Sequence, residues 1–252
     1  MNKKQQKAVK ASIALAVLFA VAPAANAMHI MEGYLPVGYC IAWGAVCLPF
    51  LVAGIFSMKK KLSENRRSIT LLAMAGAFIF VISSLKIPSV TGSCSHMTGT
   101  GLGAILFGPA ATSILGLIVL VFQAILLAHG GLTTLGANTF SMAIAGPLLS
   151  FGVFKFCDKL NVNRKVAIFL AVFLGDMFTY CVTSIQLALA YPSEAGGAAA
   201  SAVKFLGVFA PTQLPLAVIE GIVTVLIMTA LSSYAKPELK AIGFLKEAKG
   251  HE

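Results

Sequence analysis

Apolar residues form long uninterrupted runs along this chain, and polar residues fall mainly between the runs. Six runs follow one another over residues 38–58, 68–87, 99–128, 138–157, 165–190 and 205–234. A membrane-spanning helix needs about 20 mainly apolar residues, and most of the runs have this length. The pattern predicts an all-α fold, a polytopic bundle of helices in a lipid bilayer.

The third run is too long for a single crossing and contains Gly108-Pro109. Proline removes a backbone donor and clashes with the preceding turn, so we expect the helix to break there. Two short or tilted passes then bring the total to about seven membrane helices. A re-entrant segment buried in protein is the alternative. Residues 191–204, rich in alanine and glycine, are expected to form a loop.

The amino-acid composition argues against a soluble or a disordered protein. Hydrophobic residues make up 58% of the chain and charged residues 11%, whereas soluble domains carry about 25% charged residues. The net charge of +10 does not indicate nucleic-acid binding, because the basic residues lie in short runs between apolar segments. The runs are Lys59 to Lys61 with Arg66 and Arg67, then Lys159, Arg164 and Lys165, then Lys236, Lys240, Lys246 and Lys249.

Basic loops are retained on the cytoplasmic side of a membrane. Counting crossings from these loops predicts a multi-pass inner-membrane protein with its mature N-terminus outside and its C-terminal tail in the cytoplasm. The same count places His29, His96 and His129 on the outer side.

The first 27 residues have the three parts of a secretory signal peptide. A basic stretch precedes the apolar run of residues 11–21, and Ala25-Asn26-Ala27 fits a small-x-small cleavage site. We predict a cleavable signal peptide over residues 1–27 and a single membrane domain over residues 28–252. An uncleaved first membrane helix is the alternative, which Pro23 and the cleavage site disfavour.

Cleavage after Ala27 makes Met28-His29 a chelating N-terminus. The α-amine of Met28, the backbone nitrogen of His29 and its imidazole can bind one ion in fused rings, with three nitrogens in a plane. Planar nitrogen ligands suit nickel(II) and copper(II) and can serve cobalt(II). Zinc prefers a tetrahedron. The mature chain is therefore predicted to begin with a metal-binding segment.

A fourth nitrogen is expected from His96, which lies in a polar, glycine-bearing break over residues 90–99. An ordinary histidine of a surface loop is the alternative. His129, beside Gly130, is the second choice for this ligand, since a loop histidine satisfied by its own contacts is the simpler interpretation. The candidates for supporting groups around the ligands are Glu32, Asn138 and His129. For Glu32, the interpretations are a hydrogen bond that supports a ligand, a salt bridge or an N-cap.

Two acidic residues, Asp176 and Glu220, lie inside apolar runs. Charges at membrane depth are costly and usually functional. Pairing with lysine or arginine, or contact with a partner subunit, are the interpretations considered, and neither residue is assigned a catalytic role.

Four long motifs now point to a family. They are Met28-His29-Ile30-Met31-Glu32-Gly33-Tyr34-Leu35-Pro36, Gly92-Ser93-Cys94-Ser95-His96, Thr98-Gly99-Thr100-Gly101-Leu102-Gly103-Ala104-Ile105-Leu106-Phe107-Gly108-Pro109 and Gly130-Gly131-Leu132-Thr133-Thr134-Leu135-Gly136-Ala137-Asn138. This set resembles the substrate-capture subunits of cobalt and nickel energy-coupling-factor importers, the CbiM family and its nickel-binding relatives. The resemblance extends over nearly the whole mature chain.

The resemblance implies a metal site built from Met28, His29 and His96. It also implies a small membrane subunit, a transmembrane coupling subunit and ATPase subunits as partners, so that this chain is a transporter component without its own ATPase. The Gly92-Ser93-Cys94-Ser95-His96 version resembles the cobalt branch, which supplies cobalamin biosynthesis. Two departures are Met97, where many cobalt-type members have proline, and the leader, which many members lack.

Three alternatives remain open. Nickel(II) is the second candidate for the transported ion. A membrane-embedded metalloenzyme would need a motif such as H-E-x-x-H or G-x-S-x-G, and the sequence contains neither. A channel or scaffold would bind no metal tightly.

Overall fold

The computed structural model describes residues 29–64, 68–88 and 94–245. The predicted signal peptide and Met28 lie outside the described residues, as does the end of the C-terminal tail. The helices and strands are α1 (Val37–Glu64), α2 (Ser68–Ser84), β1 (Lys86–Pro88), β2 (Cys94–His96), α3 (Thr100–Phe107), α4 (Pro109–Leu127), α5 (Leu135–Asn138), α6 (Gly146–Lys159), α7 (Arg164–Ala190), α8 (Gly197–Tyr234) and α9 (Lys236–Ala241). A π-helical segment, Thr139–Ala145, joins α5 to α6.

The prediction of an all-α membrane bundle is confirmed. Within the described residues, five stretches are long and apolar enough to cross a bilayer: α1, α4, the continuous helix from α5 to α6, α7 and α8. The apolar helix α2 has 17 residues and a length of about 26 Å. Together with the shorter α3, these make seven apolar helices, in agreement with the expected number. Large apolar side chains on their outer faces are exposed, as contact with lipid requires.

The third apolar run breaks where the sequence predicts. Helix α3 ends at Phe107, and α4 begins at Pro109, the first helical position, where a missing N–H is tolerated. The two halves are unequal, however. Helix α3 has eight residues, all buried, and a length of about 12 Å. It is a half-length segment inside the protein, while α4 makes a full crossing.

Two details differ from the sequence-based expectation. The predicted loop over residues 191–204 is wrong from Gly197 onward, because α8 begins there. The alanines at 198–200 have the highest helix propensity of any residue, which favours this earlier start. The fourth apolar run is helical, but it contains the π-helical segment Thr139–Ala145 directly after Asn138. Such segments occur often at functional sites.

Small residues allow α7 to pack closely against α6. A Cβ atom added to Gly146 would lie 2.2 Å from Thr179 Oγ1, and one added to Gly175 would lie 1.8 Å from Ser150 Oγ. Only glycine lets these backbones approach so closely, which is the usual way in which membrane helices associate. Helix α8 also packs against α7 over much of its length.

The two ends of the bundle differ in chemistry. At one end, which we call the basic end, Lys61, Lys155 and Arg164 line a cavity of about 770 Å³. Arg164 Nη2 donates a hydrogen bond of 3.0 Å to the Phe244 carbonyl. Helix α4 leaves this end and runs 19 residues, about 28 Å, to the opposite end. There it is followed by His129, and we call this the histidine end.

Candidate metal centre

Three histidines from three separate segments meet inside the histidine end. His29 belongs to the N-terminal segment, His96 ends β2, and His129 follows α4. One nitrogen of each imidazole can be chosen so that the three lie within 4.8 Å of one another. His96 is fully buried, and His29 and His129 are each 2% exposed. The shortest contact, 2.5 Å, joins His29 Nδ1 to His96 Nε2.

The hydrogen bonds around His96 select its metal-facing nitrogen. His96 Nδ1 lies 2.8 Å from the Met97 carbonyl oxygen. A carbonyl only accepts, so Nδ1 carries the proton and Nε2 presents its lone pair to His29. A backbone carbonyl that holds one ring nitrogen of a histidine, and so orients the other, is typical of metal-binding histidines.

His129 reaches the centre because α4 ends in a left-handed turn. Ala128 has φ 45°, and its N–H and that of His129 both donate to the Gln123 carbonyl. Gly130 follows with φ 76°. This turn folds the chain back over the helix end and buries the imidazole. Its ring centroid lies 4.6 Å from that of His29 and 4.8 Å from that of His96. His129 was only the second choice for a ligand from the sequence, whereas the structure places it beside both other histidines.

Asn138 holds the N-terminal segment next to His29. Its Oδ1 accepts a hydrogen bond of 2.8 Å from the Ile30 N–H, and its Nδ2 donates one of 2.9 Å to the Ile30 carbonyl. Thr134 Oγ1 donates a further bond of 2.6 Å to that carbonyl. These bonds satisfy both backbone groups of a buried residue. Asn138, predicted only as a supporting residue, therefore fixes the backbone beside a histidine.

Glu32 fastens the same segment to the loop after His129. Its N–H donates to the Gly130 carbonyl at 3.2 Å, and its carboxylate accepts from the Thr133 N–H at 3.2 Å. Hydrogen bonding from Thr133, first through its side chain and then through its backbone, lowers the pKa of Glu32 below the ordinary value of 4.5. A Cβ atom on Gly131 would lie 2.4 Å from Glu32 Oε2 and 2.5 Å from its Cα, so this close approach requires glycine.

A carboxylate from α8 holds the loop that carries His96. Glu220 Oε2 accepts a hydrogen bond of 2.6 Å from the Thr98 N–H, and Oε1 accepts one of 2.9 Å from the Gly99 N–H. Thr98 Oγ1 also donates to Glu220 at 3.0 Å. These amides precede α3, where backbone N–H groups and the helix dipole favour a negative charge.

Gln213 supports the same loop from a second position. Its Nε2 donates to the His96 carbonyl at 3.2 Å and to Asp176 Oδ2 at 2.7 Å. The sequence analysis singled out Asp176 and Glu220 for their depth, but the partners that the structure gives them are amides rather than lysine or arginine. Gln213 was missed altogether. A glutamine in an apolar run between two prolines was the signal that could have found it.

The centre offers nitrogen donors in a buried setting. Imidazole nitrogens suit zinc, copper, iron and nickel, and also cobalt, which lies between iron and nickel in the affinity series. Calcium and magnesium prefer oxygen ligands. The arrangement therefore fits a divalent transition-metal ion.

The known proteins that this chain resembles are named as cobalt transport proteins. Residues 29–239 match the family model described as cobalt uptake substrate-specific transmembrane region, CbiM. A cobalt transport protein CbiM of Lachnoclostridium phytofermentans is 71% identical over 245 residues, which cover 97% of this chain and 98% of that protein. One of Ruminiclostridium cellulolyticum is 59% identical over 230 residues, or 91% of this chain and 93% of that protein.

A solved structure shares the fold. The crystal structure of a truncated transition metal transporter superimposes with a TM-score of 0.71 at 26% sequence identity, covering 82% of this chain and 99% of that one. The relatives are named as transport proteins, which supports a transporter rather than an enzyme. Since the family model matches more than half of its residues, the chain belongs to the CbiM family of substrate-specific transmembrane proteins of cobalt uptake.

Proposed function

We propose that this chain captures cobalt(II) for an energy-coupling-factor importer driven by ATP, which supplies cobalamin biosynthesis. The proposal rests chiefly on the convergence of His29, His96 and His129 in one buried cluster. The family match and the cobalt transport proteins among its relatives support cobalt as the ion.

The ligands we propose are the Met28 amine, the backbone nitrogen and Nδ1 of His29, and Nε2 of His96. In a planar complex with metal–nitrogen bonds of about 2.0 Å, neighbouring nitrogens lie about 2.8 Å apart. The contact of 2.5 Å between His29 Nδ1 and His96 Nε2 is close to that spacing. His29 Nδ1 is also the ring nitrogen that can share a chelate ring with its own backbone nitrogen. His129, whose ring centroid lies 4.6 Å from that of His29 and 4.8 Å from that of His96, is then a supporting residue or a further nitrogen ligand.

The topology we propose follows from the two ends of the bundle. Lys61, Lys155 and Arg164 lie at the end opposite His129, and basic loops stay in the cytoplasm. The histidine end then faces outward in the inner membrane, and signal-peptide cleavage after Ala27 exposes the Met28 amine. The partners we propose are a small membrane subunit, a transmembrane coupling subunit and ATPase subunits, which hydrolyse ATP in place of this chain.

Equilibrium dialysis of the purified mature chain with cobalt(II) tests the ligand set. His29→Ala and His96→Ala should each weaken binding at least about 100-fold, because each removes a direct nitrogen ligand. The same change at His251, the remaining histidine of the sequence, in the C-terminal tail, is the control and should leave the dissociation constant unchanged. N-terminal sequencing should give Met28 first. Tight binding by both variants, or by a chain that retains its leader, would contradict the proposal.

Nickel(II) is the second candidate, because the same nitrogen donors bind it at least as tightly. Competition dialysis with both ions gives the intrinsic preference. Uptake by cells that carry the complete importer, measured for each ion at equal concentration, should favour cobalt. Preferred uptake of nickel would assign the chain to the nickel role.

A further inference from the structure

A line of buried polar residues continues from the metal centre along α8. Gln213, Glu220 and Thr224 are spaced by seven and four residues, so they share one face of the helix. All three are at most 1% exposed. Asp176, from the middle of α7, contacts this face through its 2.7 Å hydrogen bond to Gln213 and is 1% exposed. The proposed metal capture does not use these groups as ligands.

The cluster contains acidic groups of the kind that bind cations. Among the described residues, the buried polar side chains include two carboxylates, Asp176 and Glu220, and no lysine or arginine. A buried carboxyl group without a cation takes up a proton rather than carry an uncompensated charge, and a divalent cation that binds there displaces that proton. The hydrogen bonds from Thr98 and Gly99 to Glu220 compensate one carboxylate, which leaves Asp176.

Some side-chain oxygen atoms of the cluster receive no hydrogen bond from the described residues. Asp176 Oδ1 and Gln213 Oε1 accept no hydrogen bond from any residue that the structure describes. The orientation of the Gln213 amide is fixed, because its Nε2 donates to two acceptors, Asp176 Oδ2 and the His96 carbonyl. Its oxygen is therefore the acceptor that this amide leaves open. Carboxylate and amide oxygens are ligands for divalent cations, and they bind cobalt and nickel less strongly than imidazole does.

The cluster is also linked directly to the histidines. Gln213 bonds both Asp176 and the carbonyl of His96, and Glu220 bonds the two residues that follow Met97. Ions cross a membrane protein through successive sites that hold them firmly enough to enter and weakly enough to leave. A weaker oxygen site beside a stronger nitrogen site has this property.

We infer that Asp176, Glu220 and Gln213 form an inner, oxygen-lined site, which takes the divalent cation after it leaves the histidines. This inference rests on the proposed function for the order of the two sites. The existence of the inner site can be tested separately, with cobalt(II) itself as the probe.

The experiment is equilibrium dialysis of the purified mature chain with cobalt(II), from nanomolar to millimolar concentration. The wild type should show a tight and a weak site, with dissociation constants at least about 100-fold apart. His29→Ala should retain only the weak site. Adding Asp176→Asn to His29→Ala should weaken the remaining site at least about tenfold. Adding Asp158→Asn, the same change at an exposed position of the basic end, should leave it unchanged.

Asp176→Asn alone provides the second measurement. It keeps an acceptor for Gln213, so the tight site should stay within about threefold of the wild type. If the tight site is lost with it, or if His29→Ala shows no weak site, or if that site survives Asp176→Asn, the inner site is overturned. A wild type that lacks the tight site but has a weak one dependent on Asp176 would contradict the proposed function and leave the inner site standing.

Discussion

Two of the three segments that bring histidines to the centre, those of His29 and His96, are held in different ways. The N-terminal segment is fastened by neutral groups, mainly the Asn138 amide and the Thr134 hydroxyl on Ile30. The loop after His96 is fastened by a buried carboxylate, Glu220. Hydrogen bonds to a charged group contribute about 1.5–3 kcal/mol each, compared with about 0.5–1.5 kcal/mol for neutral pairs.

Depth separates the two segments as well. Residues 95–99 are buried, whereas Glu32 and Gly33 are exposed. The comparison indicates a centre with a fixed half and a docking half. His96 is positioned before any ion arrives, and the N-terminal segment lies where it can close over the ion. Three substitutions test this division, in order of decreasing expected effect.

Glu220→Gln should have the largest effect. The new amide nitrogen faces the N–H groups of Thr98 and Gly99, so a buried donor loses its acceptor and the His96 loop shifts. We expect cobalt(II) affinity to fall about 100-fold, near the upper end for residues that support a metal ligand. Isothermal titration calorimetry measures the change. Glu238→Gln, the same substitution in α9, is the control, and an equal loss there would point to a general effect on the bundle.

Asn138→Ala should have an intermediate effect. It leaves the Ile30 N–H without its acceptor, at a cost of about 1–3 kcal/mol, while Thr134 still bonds the Ile30 carbonyl. We expect affinity to fall about 10- to 30-fold, with faster dissociation of the ion, since this segment is the docking half. Stopped-flow chelation measures that rate.

Thr139→Ala is the neighbouring control, because the Thr139 hydroxyl has no hydrogen-bond partner among the described residues. Dissociation that is unchanged in Asn138→Ala, or equally fast in both variants, would remove the distinction between a docking half and a fixed half.

Glu32→Gln should have the smallest effect, less than about threefold at pH 7.5, because exposed charged contacts contribute little. Its pKa is lowered in the folded chain by hydrogen bonding from Thr133. The carboxylate therefore stabilises the fold above the unfolded-state pKa of 4.5, and this contribution is lost as the pH falls through the lowered value. Thermal unfolding of metal-free protein between pH 3 and 6 should show a weaker pH dependence in the variant. An identical pH profile would exclude this contact as a source of stability.

Much of the architecture could be predicted because a bilayer imposes strict local rules. Apolar runs of about 20 residues must be helices in lipid, and Gly108-Pro109 must interrupt one. The rules say nothing about how helices share the interior, so the unequal lengths of α3 and α4 and the early start of α8 at Gly197 were not foreseen. The start of a helix in an alanine-rich segment depends on contacts that local sequence does not contain.

The candidate metal centre, too, was predictable from the sequence in part. The sequence alone determined that His29 stands second in the predicted mature chain and that His96 and His129 lie in breaks between apolar runs. Chain distance could not show that His129 joins the other two, since its position depends on the left-handed turn at Ala128. The sequence also could not show that Gln213 contacts His96, because the two residues lie 117 positions apart.

The sequence by itself therefore determined the membrane bundle, its two chemically distinct ends and the identity of the nitrogen donors, because hydropathy, charge and side-chain chemistry are local properties. Only the tertiary structure decided that three histidines share one buried cluster, and that Asp176 and Glu220 lie beneath them with amide partners. Those facts depend on the long-range packing of α7 against α8, which brings together side chains that lie far apart in the chain.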